Sequence, residues 1–484
     1  MATIQAPRGM RDILPGEVER WQALEARVHD LAARFGFREI RTPVVEHTEV
    51  FQRTVGEHTD IVEKEMYIFT DRGGRSLSLR PEGTAAVMRA YLEHGLRQQP
   101  QPGKFYYVAP MFRYDRPQKG RYRQHTQFGA EIIGSAEPAA DAEVLTLPIR
   151  LLQSVGLTEV EVHLNSVGDE ACRPRYLRAL RDYFRPRADE LCEDCRRRLE
   201  QNPQRILDCK REGCHRIARG APSSVEFLCD ACAAHLEGVK RHFEWLGVAY
   251  VIDPFIVRGL DYYTRTAVEV YSGRLGAQNA MFGGGRYDGL AEQLGGSPTP
   301  GVGFGFGLDR LLLIAGGEDL VPPVDRTPEV MVVTFGEAAR REGVVLLDAV
   351  RQAGIRAAGD LLNRDGRALL KYADRVGARF ALVLGDDEIA AAAVTVREMA
   401  TGEQTAVSRA QIVGALRERL AQGAADVGTS GGGGRGRHGV HMRAAPCGPN
   451  MSARRCGWRV GCSVGAISAG LSSSTCATET GWSR

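Results

Sequence analysis

The sequence predicts an α+β protein that carries a helical insert and, after it, a separate α/β domain. Three patterns indicate this fold class. First, two β-prone segments flank a polar, basic loop between residues 104 and 133. Second, apolar residues have helical spacing from residue 172 to 245. Third, strand and helix patterns alternate from Glu329 onward. With 484 residues the chain is long enough for two or three domains, each with its own core.

The first predicted element is an amphipathic helix followed by a short strand. Apolar residues recur every three or four positions over 21–35, with Pro15 before them and Gly36 after them. Residues 37–42 have the composition of a strand, which we expect to end before Pro43 because proline has no N–H to donate to a sheet.

The next predicted unit consists of two strands joined by a long loop. Residues 104–114 and 126–133 are β-prone, and Arg113 lies at the end of the first strand. The basic residues of the loop are Arg116, Lys119, Arg121 and Arg123. Such a charge density suits a polyphosphate or an RNA end, although an ordinary solvated loop would have the same appearance.

The second of these strands predicts a polar pocket. Because side chains alternate across a strand, Gln127 and Glu131 share one face with Gly129. Glu82, in the segment 79–84, offers a second acid. Two carboxylates and an amide could hold an imidazole and an ammonium group through charge-assisted hydrogen bonds. Each acid alone is more typical of a surface residue, so the hypothesis depends on the combination.

A strand with glycine at every second position follows. Gly301, Gly303, Gly305 and Gly307 would share one face. Glycine weakens a strand by about 0.5–1 kcal/mol per residue, so four of them need a compensating reason. Close approach of a flat ligand such as adenine supplies one, and tight packing against another backbone is the alternative. Asp309 and Arg310 favour the ligand, because they begin a predicted helix, 309–315, from which arginine could reach a phosphate.

The familiar ATP-binding loops are missing from these segments. No Gly-Lys-Ser or Gly-Lys-Thr closes a P-loop, and the glycine clusters at 283–285 and 301–307 lack the G-x-G-x-x-G spacing. The sequence therefore disfavours the P-loop and Rossmann classes.

The predicted domain organisation has three parts. Residues 1–325 form the first domain, with the helical insert at about 170–250, and a proline-bearing linker leads to an α/β domain at 326–422. Residues 423–484 are rich in Gly, Ser and Arg without periodicity, which indicates disorder or a sequence read out of frame.

Charge and hydropathy limit the classes of function. The formal net charge of +3 comes from the tail, whose arginines outnumber its acids, so a nucleic-acid partner would meet local basic patches. No apolar stretch approaches the roughly 18–20 residues of a membrane span, and the start of the chain lacks a charged-then-apolar leader. We expect a soluble, cytoplasmic protein without a membrane partner.

Cysteines are concentrated in the insert, with seven of the eleven between residues 172 and 232. This clustering argues against a disulfide framework and allows a metal site. The pairs Cys192-x-x-Cys195 and Cys229-x-x-Cys232 have the spacing of one structural zinc site, although 33 residues between the pairs is long. Ordinary buried thiols are the preferred interpretation, because cysteine often serves as a small core residue.

Several segments resemble the histidyl-tRNA synthetase family of class II aminoacyl-tRNA synthetases. Arg113 in its strand-loop-strand and the segment 301–310 resemble the second and third class II signatures, and the first helix with Pro43 is similar to the first. The segments that look specific to the histidine enzymes are 7–15, 258–263 and 284–289. The resemblance covers about residues 5–420, and the ordered set is far more specific than any short motif.

This resemblance implies a fold and an activity. The fold would be an antiparallel sheet of six or more strands flanked by helices, in a homodimer, with an anticodon-binding C-terminal domain. The activity would be that of a histidine–tRNA ligase, which activates L-histidine with ATP, with Mg²⁺ present, and transfers histidine from the adenylate to the 3′ end of tRNA(His).

The resemblance also assigns residues. Arg113, Arg310 and Arg258 are the implied catalytic residues, with Arg113 on the α-phosphate, Arg310 on the γ-phosphate and Arg258 between the histidine carboxylate and the α-phosphate. Arg121 is assigned to ATP and Arg116 to the tRNA end. The implied histidine-binding residues are Glu82, Gly83, Thr84, Gln127, Glu131, Arg258, Tyr262 and Tyr263.

The chain departs from the family pattern at Asp115 and at His125-Thr126, where Glu and Phe-His would be expected. Position 125 therefore offers less apolar area for stacking adenine.

The sequence leaves two other functions open: a catalytically inactive paralogue acting as a regulatory subunit or sensor, and a class II synthetase for threonine, proline or glycine. The first typically lacks the last domain or the pocket, and the second lacks the segment 258–263.

Overall fold

The structure is a computed structural model that describes residues 3–56, 59, 61–118, 120–257, 260–273, 280–318 and 320–430. Contacts divide the chain into two compact units, Met1–Thr327 and Pro328–Arg484. None of the helices in the described parts is both long and apolar enough to cross a membrane.

The first unit contains ten α-helices and eleven strands among its described residues. The helices are α1 Val18–Arg34, α2 Thr48–Val55, α3 Thr84–Glu93, α4 Pro138–Ser154, α5 Arg173–Phe184, α6 Glu193–Gln201, α7 Glu212–Ala218, α8 Asp230–Trp245, α9 Leu290–Gln293 and α10 Leu308–Glu318. The strands are β1 Arg38–Glu39, β2 Val45–His47, β3 Tyr67–Thr70, β4 Ser76–Leu79, β5 Gly103–Phe112, β6 Gln124–Ile133, β7 Glu161–Ser166, β8 Val251–Ile252, β9 Thr264–Tyr271, β10 Ala280–Arg286 and β11 Gly301–Gly307.

An eight-stranded sheet in the order β1-β5-β6-β11-β10-β9-β7-β8 forms the centre of this unit. It is antiparallel except at its two edges, where β1 pairs with β5 and β7 pairs with β8 in parallel. The predicted strand-loop-strand and glycine strand are confirmed as β5, β6 and β11. The strand predicted at 37–42 is shorter, because only Arg38–Glu39 pair with β5 before the chain reaches Pro43.

The two faces of the central strands differ in chemistry. Phe128 of β6 and Phe304 and Phe306 of β11 point into the main apolar core, which α1 and α4 complete. The alternate residues of both strands face the opposite side, as the period of two requires. The polar face of the sheet is therefore held in place by a mainly apolar core behind it.

The helical stretch predicted between the strands is confirmed, but its helices belong to two cores. Leu236, Val239 and Phe243 of α8 pack into the main core of the unit. The earlier helices α5, α6 and α7 surround a small core of their own, which includes Leu180, Phe184 and three cysteines. Helical spacing identifies an apolar face but not the surface on which it packs.

The second unit is an α/β domain with a five-stranded sheet. Its strands are β12 Val330–Thr334, β13 Ala357–Ala358, β14 Phe380–Leu384, β15 Ala393–Glu398 and β16 Gln404–Ser408, in the order β13-β12-β14-β15-β16. Its helices are α11 Glu337–Gln352, α12 Gly366–Arg375, α13 Asp386–Ala390 and α14 Ile412–Ser430.

Apolar cores cover both faces of this second sheet. Val330 and Val332 pack on the face that α11 and α14 cover, and Met331 and Val333 pack on the face of α12. A strand buried on both faces has a continuous apolar sequence, as β12 does. The last helix, α14, ends at Ser430, within the tail predicted at 423–484, and the rest of that tail lies outside the described residues.

Candidate active site

A cavity of about 350 Å³ lies on the polar face of the central sheet. Its wall is formed by Glu82, Thr84, Arg113, Asp115, Gly120, Arg121, Tyr122, His125, Gln127, Leu260, Tyr262, Tyr263, Glu269, Ala280, Met281, Phe282, Gly283, Gly305, Gly307, Asp309 and Arg310. Eight residues to which the sequence analysis gave a binding or catalytic role thus line one cavity, although they come from four separate stretches of the chain.

Three arginines converge at one end of this cavity. Arg113 follows directly after β5 and donates from Nε to the main-chain carbonyl of Pro81 at 2.8 Å. Arg310, in the first turn of α10, donates to the carbonyl of Gly120 at 3.2 Å. Burial, together with the like charges of Arg121 and Arg113, lowers the pKa of Arg310. Guanidinium groups that repel one another in this way form a binding site for a highly charged anion.

Two residues that depart from the family pattern lie beside these arginines. Asp115 forms an ion pair with Arg121 and so helps to hold the loop against the cavity. Burial first, and then the charges of Arg113, Arg310 and Arg121, lower the pKa of His125 to about 3. The imidazole of His125 is therefore neutral at neutral pH and presents an uncharged ring to the cavity.

The cavity wall beside Arg113 carries an acid at the start of α3. The Glu82 carboxylate accepts from the main-chain N–H of Thr84 at 2.6 Å and of Ala85 at 2.9 Å. Burial raises the pKa of Glu82, and the two N–H groups and the charge of Arg113 oppose that rise. Glu82 thus satisfies the first N–H groups of a helix while its side chain also faces the cavity.

Glu131 lies behind the cavity wall and not on its surface. Its carboxylate has no exposed area and accepts from the hydroxyl of Thr84 at 2.8 Å and from the hydroxyl of Tyr287 at 2.5 Å. Burial raises the pKa of Glu131 to about 8, against these hydrogen bonds. Glu131 is linked to the cavity through the hydroxyl of Thr84, and Thr84 does line the wall.

Two tyrosines, Tyr107 and Tyr287, complete this buried network, and the sequence did not indicate a role for either of them. The Tyr107 hydroxyl accepts from the Gln127 amide at 2.9 Å, and Tyr287 contacts Glu131. Tyr262 and Tyr263, which the resemblance assigned to histidine, both line the cavity with ring centroids 4.7 Å apart. Tyr107 lies on β5 at the register of Gly129, and only that strand pairing would have revealed it.

Gly83, another residue assigned to histidine, makes room for a ring instead of lining the cavity. A Cβ at Gly83 or at Gly129 would lie 2.2 Å from Cζ of Tyr107, so the ring fills the space that both glycines leave. Gly83 therefore contributes to the site indirectly, because its lack of a side chain lets the Tyr107 ring approach Gln127.

The explanation of the glycine strand by a flat ligand needs correction. A Cβ on Gly303 would lie 1.7 Å from Oε2 of Glu131, and one on Gly305 would lie 2.5 Å from Nε2 of Gln127. A Cβ on Gly301 would meet the ring of Tyr287 at 2.3 Å. Most of the glycines therefore admit side chains from neighbouring strands, and only Gly307 has no atom within 4 Å of such a Cβ.

The remaining predicted binding residues lie elsewhere. Arg116 is exposed on the loop after β5 and is not part of the cavity wall. Arg123 stacks on the Tyr114 ring at 3.7 Å, which fixes the loop. The prediction for Arg258 falls outside the described residues, as does the basic residue Lys119.

The structure does not bring the two C-x-x-C pairs together, as a single zinc site shared by both pairs would require. Cys192 and Cys195 cluster with Cys209 and Cys214, whereas the other pair joins a second cluster with an aspartate. Spacing along the chain could not distinguish these arrangements, because each pair begins a different helix: Cys192 precedes α6 and Cys229 precedes α8.

Two family models match this chain. Residues 9–311 match the family model described as histidyl-tRNA synthetase, and residues 329–419 match the model described as anticodon binding domain. The histidine–tRNA ligase of Desulforudis audaxviator is 52% identical over 417 residues, which are 86% of this chain and 98% of that protein. The histidine–tRNA ligase of Pelotomaculum thermopropionicum is 50% identical over 414 residues, 86% of this chain and 97% of that protein.

A solved structure supports the same assignment at the level of the fold. The crystal structure of apo Staphylococcus aureus histidyl-tRNA synthetase has a TM-score of 0.73 and 39% sequence identity, and the match covers 86% of this chain and 100% of that one. Since a family model matches more than half of the chain and relatives are about half identical over nearly their whole length, the chain belongs to the histidyl-tRNA synthetase family.

Proposed function

We propose that this protein is a histidine–tRNA ligase that activates L-histidine with ATP and then transfers histidine to the 3′ end of tRNA(His). One observation carries the proposal. A single cavity combines a cluster of three arginines with Glu82, Gln127 and buried tyrosines. Such a cavity can hold a polyphosphate next to a small cationic amino acid.

At the arginine end, we propose that Arg113 holds the α-phosphate, Arg310 the γ-phosphate and Arg121 a neighbouring oxygen. The histidine carboxylate attacks the α-phosphorus in line, the bond to the bridging oxygen breaks, and pyrophosphate leaves. The protein's contribution is to align the reactants and to offset the charge that spreads over the phosphorus. Carboxylates of Glu269 and Asp309 in the wall suit a magnesium ion, which would neutralise the leaving pyrophosphate.

Beside Arg113, we propose that Glu82, Gln127, Tyr262 and Tyr263 bind histidine. Glu131 affects the bound histidine through the hydroxyl of Thr84. Gly83 contributes indirectly, because it leaves the space that the Tyr107 ring fills. The proposal for Arg258 rests on the resemblance of the segment 258–263 to the histidine enzymes. This resemblance implies that Arg258 bridges the histidine carboxylate and the α-phosphate.

The transfer RNA would be held at two places. Arg116, exposed beside the cavity, is proposed to contact the 3′ end, and the unit that begins at Pro328 is proposed to bind the anticodon. We further propose that the protein works as a homodimer in the cytoplasm.

The discriminating experiment is ATP–pyrophosphate exchange measured with each of the twenty amino acids. Exchange that only histidine stimulates is the expected result. Stimulation by threonine, proline or glycine instead would assign a different substrate, and no exchange with any amino acid would favour a regulatory paralogue.

Replacing Gly307 by alanine tests whether ATP lies against the open end of β11. No atom lies within 4 Å of the added Cβ, and alanine stiffens a strand, so thermal stability should be unchanged or slightly higher. We expect the KM for ATP to rise about tenfold, which is roughly 1.4 kcal/mol of lost binding. The control is Gly414→Ala, which also meets open space but lies on α14 and outside the cavity wall. An unchanged KM for ATP would place the nucleotide elsewhere.

A further inference from the structure

Outside the active site, side chains of the kind that bind metals form two compact clusters among the described residues. Cys192, Cys195, Cys209 and Cys214 make up the thiol cluster, and Asp169, Cys172, Cys229 and Cys232 make up the neck cluster. Within each cluster one ligand atom of every residue lies within 4.8 Å of all the others.

The sulfur separations match those around a single tetrahedral ion. A zinc–sulfur bond of about 2.3 Å places two tetrahedral sulfurs about 3.8 Å apart. The Sγ atoms of Cys192 and Cys209 are 4.0 Å apart, and those of Cys172 and Cys232 are 3.8 Å apart. A disulfide needs about 2.05 Å, so these thiols are spaced for a shared ligand and not for a bond to each other.

The local backbone also suits thiolates. In the thiol cluster the ligands follow a C-x2-C-x13-C-x4-C pattern, whose short spacings are those of structural zinc sites. The main-chain N–H of Cys192 donates to Sγ of Cys214 at 3.2 Å, and that of Asp169 donates to Sγ of Cys172 at 3.3 Å. Donors directed at sulfur stabilise the negative charge that a zinc ligand carries.

The small core of α5, α6 and α7 needs additional stabilisation, and the thiol cluster lies within it. Cys195, Cys209 and Cys214 are buried members of that core, together with only a few large apolar residues. A core of this size supplies little stability by itself, and natural domains of similar size often use a metal ion as a staple.

The neck cluster lies where these helices join the rest of the unit. Asp169 and Cys172 come just before α5, and Cys229 and Cys232 lie at the start of α8, which packs into the main core. One carboxylate oxygen of Asp169 is 3.5 Å from Sγ of Cys172 and 3.8 Å from Sγ of Cys229. The other is 3.4 Å from a guanidinium nitrogen of Arg265, which orients the carboxylate.

We propose that each cluster binds one structural zinc ion, four thiolates holding the first and three thiolates with Asp169 holding the second. The first zinc fixes α6 and α7 to one another. The second closes the neck between residues 169 and 232. Each cysteine releases its proton to solvent when it binds zinc, so binding strengthens as pH rises.

Metal analysis of the full-length protein tests the proposal. Protein purified without chelators from zinc-supplemented cells should contain two zinc ions per chain and no iron. Cys195→Ala and Cys232→Ala should each contain one, and the double variant none. The matched control is Ser224→Ala, since Ser224 is a buried residue of the same region that belongs to neither cluster, and it should retain two. Zinc well below one ion per chain, or iron in its place, would overturn the proposal. If Cys195→Ala or Cys232→Ala still contained two zinc ions, the zinc site proposed at the cluster of that cysteine would be overturned.

A second measurement covers variants that fail to fold. The wild-type protein, titrated with a mercurial thiol reagent in the presence of a zinc-sensitive dye, should release both ions as the thiols react. Protein grown with cobalt in place of zinc should show intense tetrahedral ligand-field bands and sulfur-to-cobalt charge-transfer bands. Weak, octahedral cobalt spectra would contradict thiolate coordination.

Discussion

Replacing Arg310 by alanine should reduce histidine-dependent ATP–pyrophosphate exchange by about 10²- to 10³-fold, the loss typical when one preorganised charge donor is removed from an active site. The structure explains why the effect should be large. Arg310 lies in the cavity wall among Arg113 and Arg121, where burial and like charge both lower its pKa. A bound polyphosphate relieves that repulsion, so the cation contributes most when substrate is present.

The same change should have little effect on folding. Arg310 bonds to main-chain carbonyls of Gly120 and Ala280, and its removal also separates like charges. We expect the melting temperature to stay within a few degrees of the wild type while turnover falls. Arg326→Ala provides the control, because Arg326 is an exposed arginine bonded to Gln22 and should leave exchange within twofold. Near-normal exchange by the Arg310 variant would remove it from the phosphate site.

A lysine at position 310 separates charge from geometry. Lysine keeps the positive charge but lacks the planar fork that can contact two phosphate oxygens at once. Arg310→Lys should therefore recover part, but not all, of the lost exchange. Full recovery would mean that charge alone matters at this position.

The sequence predicted the central strands and the family correctly because both depend on local patterns. The strand period placed Gln127 and Glu131 on the polar face, and the structure confirms that face and its apolar reverse. The expected histidyl-tRNA synthetase family and class II fold are confirmed by the family models and the solved relative.

What the sequence missed depends on pairing between distant segments. Tyr107 and Tyr287 enter the site through strand register, and Gly303 is required by a carboxylate on the neighbouring strand. The cysteine pairs were assigned to each other because they are alike in spacing, whereas the fold gives each pair a different partner. Local spacing contains no information on such long-range contacts.

Replacing Glu131 by glutamine should make the protein more stable at alkaline pH and less active at the same time. The unfolded chain loses the Glu131 proton near pH 4.5, whereas in the folded protein burial raises the pKa to about 8. Between these values the folded state binds more protons than the unfolded state. Rising pH therefore destabilises the wild type by about 1.4 kcal/mol per unit in this window, and the loss is complete above about pH 8.

Glutamine cannot ionise, so the variant avoids this loss. The difference in unfolding free energy between variant and wild type should be smallest near pH 4.5, grow to a few kcal/mol by pH 8 and stay constant above it. Urea denaturation at pH 5, 7 and 9 measures it. Glu49→Gln, at an exposed carboxylate of α2, is the control and should show no such growth. A constant difference across these pH values would contradict the raised pKa.

The loss of activity should appear in histidine binding. Histidine brings a positive charge to the cavity, which favours the ionised form of Glu131 across the Thr84 hydroxyl. Removing that charge should raise the KM for histidine by about 10- to 100-fold, in the range of one lost charge-assisted hydrogen bond of about 1.5–3 kcal/mol, with the KM for ATP almost unchanged. Histidine binding near pH 7 should also release a proton from the wild type and not from the variant, which titration calorimetry in buffers of different ionisation enthalpy can detect. Equal proton release by both proteins would show that Glu131 does not sense the bound amino acid.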